Sequence, residues 1–275
     1  MSDLRCSEYN LRPLWDELLK VYEIFSSICE RHQLRYCADC GTALGAVRHK
    51  GFIPWDDDFD LQMPRPDYEK LVSIISQELP DGYRWLDRFN CACYEHGFGK
   101  VIVSDKEIVE RVSHESGLSL CQGIFIDIFP LDGYPDSRFE RTIRRLQSRA
   151  MEIIPGVSKL LRASGLVRNP DAKRVAAQRV LTSFNERRAR KYAFGSTEMC
   201  VSIGISRWFD DKPYPVKFFG MPRKVQFDRV KLPVQEDVDG YLRYLFGNYM
   251  QLPPVSRRRP GHGNGDVKPW RYGPV

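Results

Sequence analysis

Residues 41–71 read GTALGAVRHKGFIPWDDDFDLQMPRPDYEKL. Aspartates at 56, 57, 58 and 60 crowd into five positions. Like charges at that spacing raise one another's pKa, so something cationic has to offset them, and a divalent metal ion is the simplest candidate. The apolar residues that follow predict a strand over 59–63. Alternation along it carries Asp56, Asp58 and Asp60 to one face and Asp57, Phe59 and Leu61 to the other. Asp58-Phe59-Asp60 then presents two hard oxygen ligands side by side, as Mg²⁺ requires. The structural alternative is an acidic turn in water. Upstream, Gly41-Thr42 opens a short predicted helix over 42–50, with Thr42 as its cap and Gly51 as its stop. A small residue at a helix N-terminus presents backbone N–H groups where a phosphate can dock.

A further carboxylate lies downstream, in Phe125-Ile126-Asp127-Ile128-Phe129. One charge in an apolar strand costs roughly several kcal/mol if buried unpaired, so Asp127 should meet a cation or a dense hydrogen-bond shell. Placed across a sheet from Asp58 and Asp60, it completes a three-carboxylate, two-metal site. Such a site suits lowering the pKa of an attacking hydroxyl and stabilising charge on a transferring phosphoryl group. The alternative is an aspartate capping the turn at Pro130.

The remaining pattern supplies the scaffold. Apolar residues three and four apart predict an amphipathic helix over 11–33. A short strand over 34–40, a helix over 66–79 and a hairpin of 98–104 with 107–113 follow. Next come an apolar strand over 123–136 broken at Pro130, strands within 213–233 and a helix over 236–250. Residues 137–192 are Arg-rich and helical in period. The organisation expected is one catalytic domain over 1–254, a basic helical insertion at 137–200 within it, and an Arg/Gly/Pro-rich tail over 255–275.

The chain has 275 residues, 42 Lys+Arg against 36 Asp+Glu, and 12% aromatics, which excludes a disordered chain. No apolar run reaches the roughly 18–20 residues that span a bilayer, and the N-terminus has no apolar h-region. A cytoplasmic protein is therefore expected, with peripheral contact at the inner membrane face as an option. The eight cysteines read as reduced thiols. Cys37, Cys40, Cys91 and Cys93 could be assembled as a zinc site, but Cys37 and Cys40 on one strand would point to opposite faces. Charge is uneven: 14 basic and 24 acidic residues over 1–137 give −10, and the rest carries +16. The basic half suits a polyanionic acceptor or an anionic membrane surface, and it holds no recognisable nucleic-acid module.

The stretch 41–71 closely resembles the signature of the LicD (cholinephosphotransferase) family. GIFIDIFPLDGYP at 123–135 is similar to its second block, and FGNYMQLPP at 246–254, with Arg259 and His262 nearby, to its third. The resemblance implies an α+β, nucleotidyltransferase-like fold, a mixed β-sheet flanked by helices. It implies transfer of a phospho-alcohol, typically phosphocholine from CDP-choline, to a hydroxyl of a cell-surface glycan or lipid-linked saccharide, with Mg²⁺ (or Mn²⁺). Carried onto this chain, Asp58 and Asp60 are the metal pair, Asp127 the third carboxylate and Asp56 an outer ligand. Gly41 and Thr42 match the donor-phosphate turn. Arg48 and Lys50 match basic positions suited to the diphosphate or to leaving CMP, and Lys100 is a further candidate for that charge. Two alternatives keep the same fold: a nucleotidyltransferase that releases pyrophosphate, and a non-catalytic glycan- or lipid-binding module.

Overall fold

The computed structural model describes residues 9–260 apart from 92–93, 95, 119, 121–122, 145, 147–178, 181, 185 and 203–212. Helix α1 spans Arg12–Arg31, with a proline in its first turn. The predicted stripe Leu14, Leu18, Val21, Tyr22, Phe25 and Ile28 is buried throughout. At about 1.5–3 kcal/mol for each large apolar side chain removed from water, this face is a principal anchor of the fold.

Strand β1 (Cys37–Ala38), helix α2 (Cys40–Arg48), strand β2 (Asp60–Pro64) and helix α3 (Arg65–Glu78) follow. Then come β3 (Tyr83–Leu86), β4 (Gly99–Val103), helix α4 (Lys106–Ser116) and β5 (Phe125–Tyr134). The remaining elements are β6 (Met199–Ser202), β7 (Tyr214–Pro215), β8 (Arg223–Phe227), β9 (Val230–Val234) and helix α5 (Val238–Phe246). The sheet runs β1-β2-β5-β4-β3, β6 pairs with β5 and β7 with β6, and β8-β9 forms a separate hairpin. The fold is α+β with a mixed sheet and flanking helices.

Two compact units divide the chain. The first takes the described residues of 9–85, 100–128 and 218–260. In it β1 pairs antiparallel with β2, Cys37 opposite Gln62 and Ala38 opposite Leu61. The β8-β9 hairpin packs on β1 and α2. The second takes the described residues of 86–99 and 129–217. There the end of β5 pairs antiparallel with β6, from Leu131 opposite Ser202 to Tyr134 opposite Met199.

Several local expectations change. Residues 107–113 are helical, not a strand, because the Asp105 carboxylate accepts from the N–H groups of Glu107 and Ile108 and caps α4. Strand β5 continues through Pro130: the β6 pairing begins one residue later, at Leu131, so the missing N–H falls where the strand changes partner. Helix α2 begins two residues earlier than expected, with Asp39 and not Thr42 as its cap. Its stop is Lys50, which takes the left-handed conformation at φ 56° ahead of Gly51.

Much of the expected insertion, with the tail beyond residue 260, Cys93 and His262, lies outside the described residues. Residues 138–144 and most of 179–189 are helical as expected. Their arginines serve the second unit itself. Arg179 donates to the backbone carbonyls of Arg88, Cys91 and Tyr94, Arg88 pairs with Glu186, and Arg144 stacks 4.7 Å from the Tyr134 ring centroid.

Candidate active site

Every site residue named from the sequence falls in the first unit. Asp39, fully buried, starts α2: its Oδ1 accepts from the Cys40 N–H at 2.7 Å and from the Tyr241 hydroxyl of α5. Its own N–H donates to the Asp60 carbonyl at 2.9 Å. The buried Thr42 hydroxyl accepts from the Asp60 N–H at 2.8 Å. Both backbone groups of Asp60 are thus held by the first turn of α2 and its cap. Thr42 therefore acts on strand β2, and its hydroxyl oxygen is already engaged there. Gly41 lies against the acidic loop, where an added Cβ would stand 2.9 Å from Asp56 Oδ2.

The strand expected over 59–63 begins at Asp60, so Asp56 and Asp58 come from the loop before it and alternation does not align them. The loop is brought in by other contacts. Asp56 N–H closes a turn on the Ile53 carbonyl, and the Trp15 indole N–H donates to the Asp56 carbonyl at 2.8 Å. Trp15 stacks parallel on Phe52 at 5.1 Å. Phe59 sits among Tyr22, Phe52 and Phe227, with centroids 5.3–5.8 Å away. This aromatic bed excludes water from beneath the loop. Burial, and then the charge of Asp58, push the Asp56 carboxyl well above the ordinary range. Burial, followed by Asp58 and Asp127, does the same to Asp60.

Trp15→Phe should keep the stacking and lose the hydrogen bond to the loop carbonyl. The expected loss is about 1 kcal/mol of unfolding free energy, measured by urea denaturation. A variant as stable as the wild type would remove Trp15 from the anchoring of the loop.

Asp127 meets this cluster through the backbone, its N–H donating to the Phe59 carbonyl at 2.9 Å. Its side chain is paired with a cation. Lys100 Nζ lies 2.5 Å from Asp127 Oδ1 and 3.5 Å from the Phe125 ring centroid, and the Lys100 and Asp127 side chains are 9% and 15% exposed. Lys100, expected at the donor's charge, is therefore bonded to the expected third ligand. Among the described residues, no group of three or more His, Cys, Asp or Glu side chains is arranged so that it could hold a metal ion.

The donor set still fits a hard divalent cation in its chemistry. Asp56, Asp58 and Asp60 are carboxylates, and hard divalent cations take oxygen donors. Burial and the neighbouring carboxylates disfavour the ionised forms of Asp56 and Asp60, and the Arg48 charge offsets part of this at Asp56.

A cationic rim adjoins the acidic loop. Arg48 donates Nε to His49 Nε2 at 2.8 Å and Nη1 to the Tyr249 carbonyl at 2.7 Å, which joins the third sequence block to the first. Burial lowers the His49 pKa, and the Arg48 charge lowers it further, in keeping with a neutral ring accepting from Arg48. Arg258 lies 5.5 Å from the Trp55 ring centroid, and His49 stands edge-on to that ring at 6.4 Å. Lys50 is exposed just past α2, and Arg259 is exposed too. Sequence reasoning missed Trp15, Asp39, Tyr241 and Arg258. Asp39 carried a visible signal, an Asp-Cys-Gly turn directly ahead of a helix. Tyr241 and Arg258 carried none, being brought in from some 200 residues away. The cysteines at 29, 37, 40, 91 and 200 are free thiols, as expected.

The sequence model described as "LicD/FKTN/FKRP, nucleotidyltransferase domain" matches residues 33–149, the interval that holds the acidic loop, Asp127, Lys100 and the first turn of α2. Over 260 residues, 89% of this chain and 92% of the relative, it is 28% identical to the lipopolysaccharide cholinephosphotransferase LicD of Haemophilus influenzae. It is also 33% identical over 132 residues to an uncharacterized protein of Rickettsia prowazekii, covering 47% of this chain and 39% of that protein. Among the described residues no helix is long and apolar enough to cross a membrane.

Proposed function

We propose that the chain transfers a phospho-alcohol, phosphocholine from CDP-choline, to a hydroxyl of a cell-surface glycan or lipid-linked saccharide. The observation that carries this reading is the part-buried run of carboxylates Asp56, Asp58 and Asp60, two of them with ionisation disfavoured by burial and by their neighbours, set beside the cationic rim of Arg48 and Arg258. The likeness along nearly its whole length to a lipopolysaccharide cholinephosphotransferase supports it. Asp56, Asp58 and Asp60 would hold Mg²⁺ or Mn²⁺, which supplies Lewis-acid stabilisation of phosphoryl charge.

The protein's own groups then divide the work. Arg48, permanently charged, receives the diphosphate and stays with the leaving CMP, with Arg258 and Lys50 adding to the same field. The N–H groups of Gly41 and Thr42, in the first turn of α2, lack intrahelical partners and offer donors to the phosphoryl oxygens. Asp127 takes the proton of the acceptor hydroxyl as its oxygen attacks phosphorus and the bond to CMP breaks. Lys100 fixes the orientation of that carboxylate.

Incubation with CDP-choline, lipopolysaccharide acceptor and Mg²⁺ should yield CMP and a choline-bearing acceptor. Asp58→Asn, checked for a wild-type circular dichroism spectrum, should lose this activity by about a hundredfold or more. Pyrophosphate release from CTP, with CDP-choline left intact, would instead establish a nucleotidyltransferase. Unchanged turnover in Asp58→Asn would overturn the assignment of the cluster.

A further inference from the structure

We propose that residues 244–259, the end of α5 and the segment after it, dock the first unit on an anionic membrane surface, so that the acceptor met at the cationic rim is a lipid-linked one. The inference rests on the transfer reaction proposed above and narrows its acceptor. Large apolar side chains reach solvent repeatedly here: Tyr244, Phe246, Met250, Leu252 and Val255 are each 44–56% exposed. Single exposed apolar residues are ordinary, whereas a cluster of them marks an interaction surface. Tight turns keep the cluster short. Gln251 N–H donates to the Asn248 carbonyl at 3.0 Å and Arg257 N–H to the Pro254 carbonyl at 2.9 Å, so the chain doubles back twice within it. Charge selects the partner. Residues 240–260 include Arg243, Arg257, Arg258 and Arg259 and no Asp or Glu. Arg243 is matched by Asp239, whereas the run 257–259 has no acidic neighbour in the sequence, and Arg257 and Arg259 are exposed. Apolar and aromatic side chains edged by arginines suit the headgroup boundary of an anionic bilayer, where the rings enter and the guanidinium groups meet phosphate. The segment is also fastened to the candidate site. The Tyr249 carbonyl accepts from Arg48 Nη1 at 2.7 Å, and Arg258, which donates Nε to the Pro253 carbonyl at 2.9 Å, lies 5.5 Å from the Trp55 ring centroid. Docking this segment therefore brings the rim to headgroup depth, where the saccharide of a lipid-linked acceptor stands.

The test is flotation of the full-length chain with extruded vesicles. Phosphatidylcholine vesicles carrying about 30 mol% phosphatidylglycerol should bind it about tenfold more strongly than phosphatidylcholine alone, and about 0.5 M NaCl should remove most of the difference. Phe246→Ser/Leu252→Ser, both at exposed positions, should weaken vesicle binding about tenfold. Turnover of this variant with CDP-choline and a water-soluble saccharide acceptor should match the wild type, while turnover on a vesicle-borne acceptor falls with the binding. Equal affinity for the two kinds of vesicle, binding to neither, or undiminished binding by the double variant would each overturn the membrane assignment. A dimer in light scattering that the same substitutions dissociate would overturn it too, because a second copy would then cover the face. If the double variant fails to fold, Arg257→Glu with a wild-type melting curve decides: it should lose the preference for anionic vesicles, and keeping that preference would sink the proposal. Failure of the transfer reading looks different, with vesicle binding as described and choline transferred to neither acceptor.

Discussion

Asp60→Asn is expected to lower kcat/KM for phospho-alcohol transfer by about a hundred- to a thousandfold and, at the same time, to raise the stability of the metal-free protein at neutral pH. The first effect follows from the proposed role of Asp60 as a charged oxygen ligand. The second follows from linkage. Burial, then Asp58 and Asp127, raise the folded-state pKa of Asp60 above the ordinary 3.8. The folded chain therefore binds this proton more tightly than the unfolded one. Stability from the group is fully present below about pH 3.8 and is lost as pH rises toward the folded value. Asparagine carries no such penalty. Thermal melts without divalent ions should place the variant above the wild type by several degrees at pH 7.5, with the gap closing toward pH 4. Millimolar Mg²⁺ should narrow the gap from the other side, because it binds and stabilises only the folded wild type. A variant that melts lower than the wild type at pH 7.5 would mean that Asp60 is stabilised by its surroundings, and the case for a cation there would fall with it.

That opposition between function and stability was readable at the level of composition but not of geometry. Four aspartates in five positions announce mutual repulsion wherever they fold. Alternation along a strand suggested how Asp56, Asp58 and Asp60 would meet, and the structure uses a different device: a loop pinned by Trp15 and bedded on Phe52 and Phe59. The α1 stripe and the helix over 65–78 were legible because they depend on period alone. The hairpin assigned to 98–113 failed because a single side chain, Asp105, caps a helix whose interior has strand-like composition. Lys100 shows the other limit. Its strand was visible and so was its charge, but which carboxylate or phosphate it would face depends on which strands become neighbours. Pairing of β4 with β5 is a long-range fact that no local pattern contains. The same holds for Tyr241 and Tyr249, which reach Asp39 and Arg48 from the C-terminal helix and the turn after it.

Gly45→Ala should be among the most damaging conservative changes in the chain, with an expected loss of about 3 kcal/mol. In an exposed helix interior the same change would stabilise by roughly 1 kcal/mol, since alanine is the better helix former. Here the sign reverses, because a Cβ on Gly45 would stand 2.5 Å from the Gly51 carbonyl oxygen and 3.4 Å from the Ile53 nitrogen. Both are backbone atoms, so no rotamer change relieves the contact. The chain is drawn this close by its own bonds: the Gly45 carbonyl accepts from His49 N–H at 2.9 Å and from Gly51 N–H at 3.4 Å. Relief requires α2 and the segment 51–53 to part. The two lead into the two halves of the site, α2 through the Asp39 and Thr42 bonds to Asp60, and 51–53 through the turn that carries Asp56. The melting temperature should drop by about 6–12 °C, and kcat/KM should fall even at temperatures where the variant remains folded, because the separation moves Asp56 away from Asp60. A Gly45→Ala chain that melted at or above the wild type would show that the close approach of α2 to the acidic loop does not constrain the site.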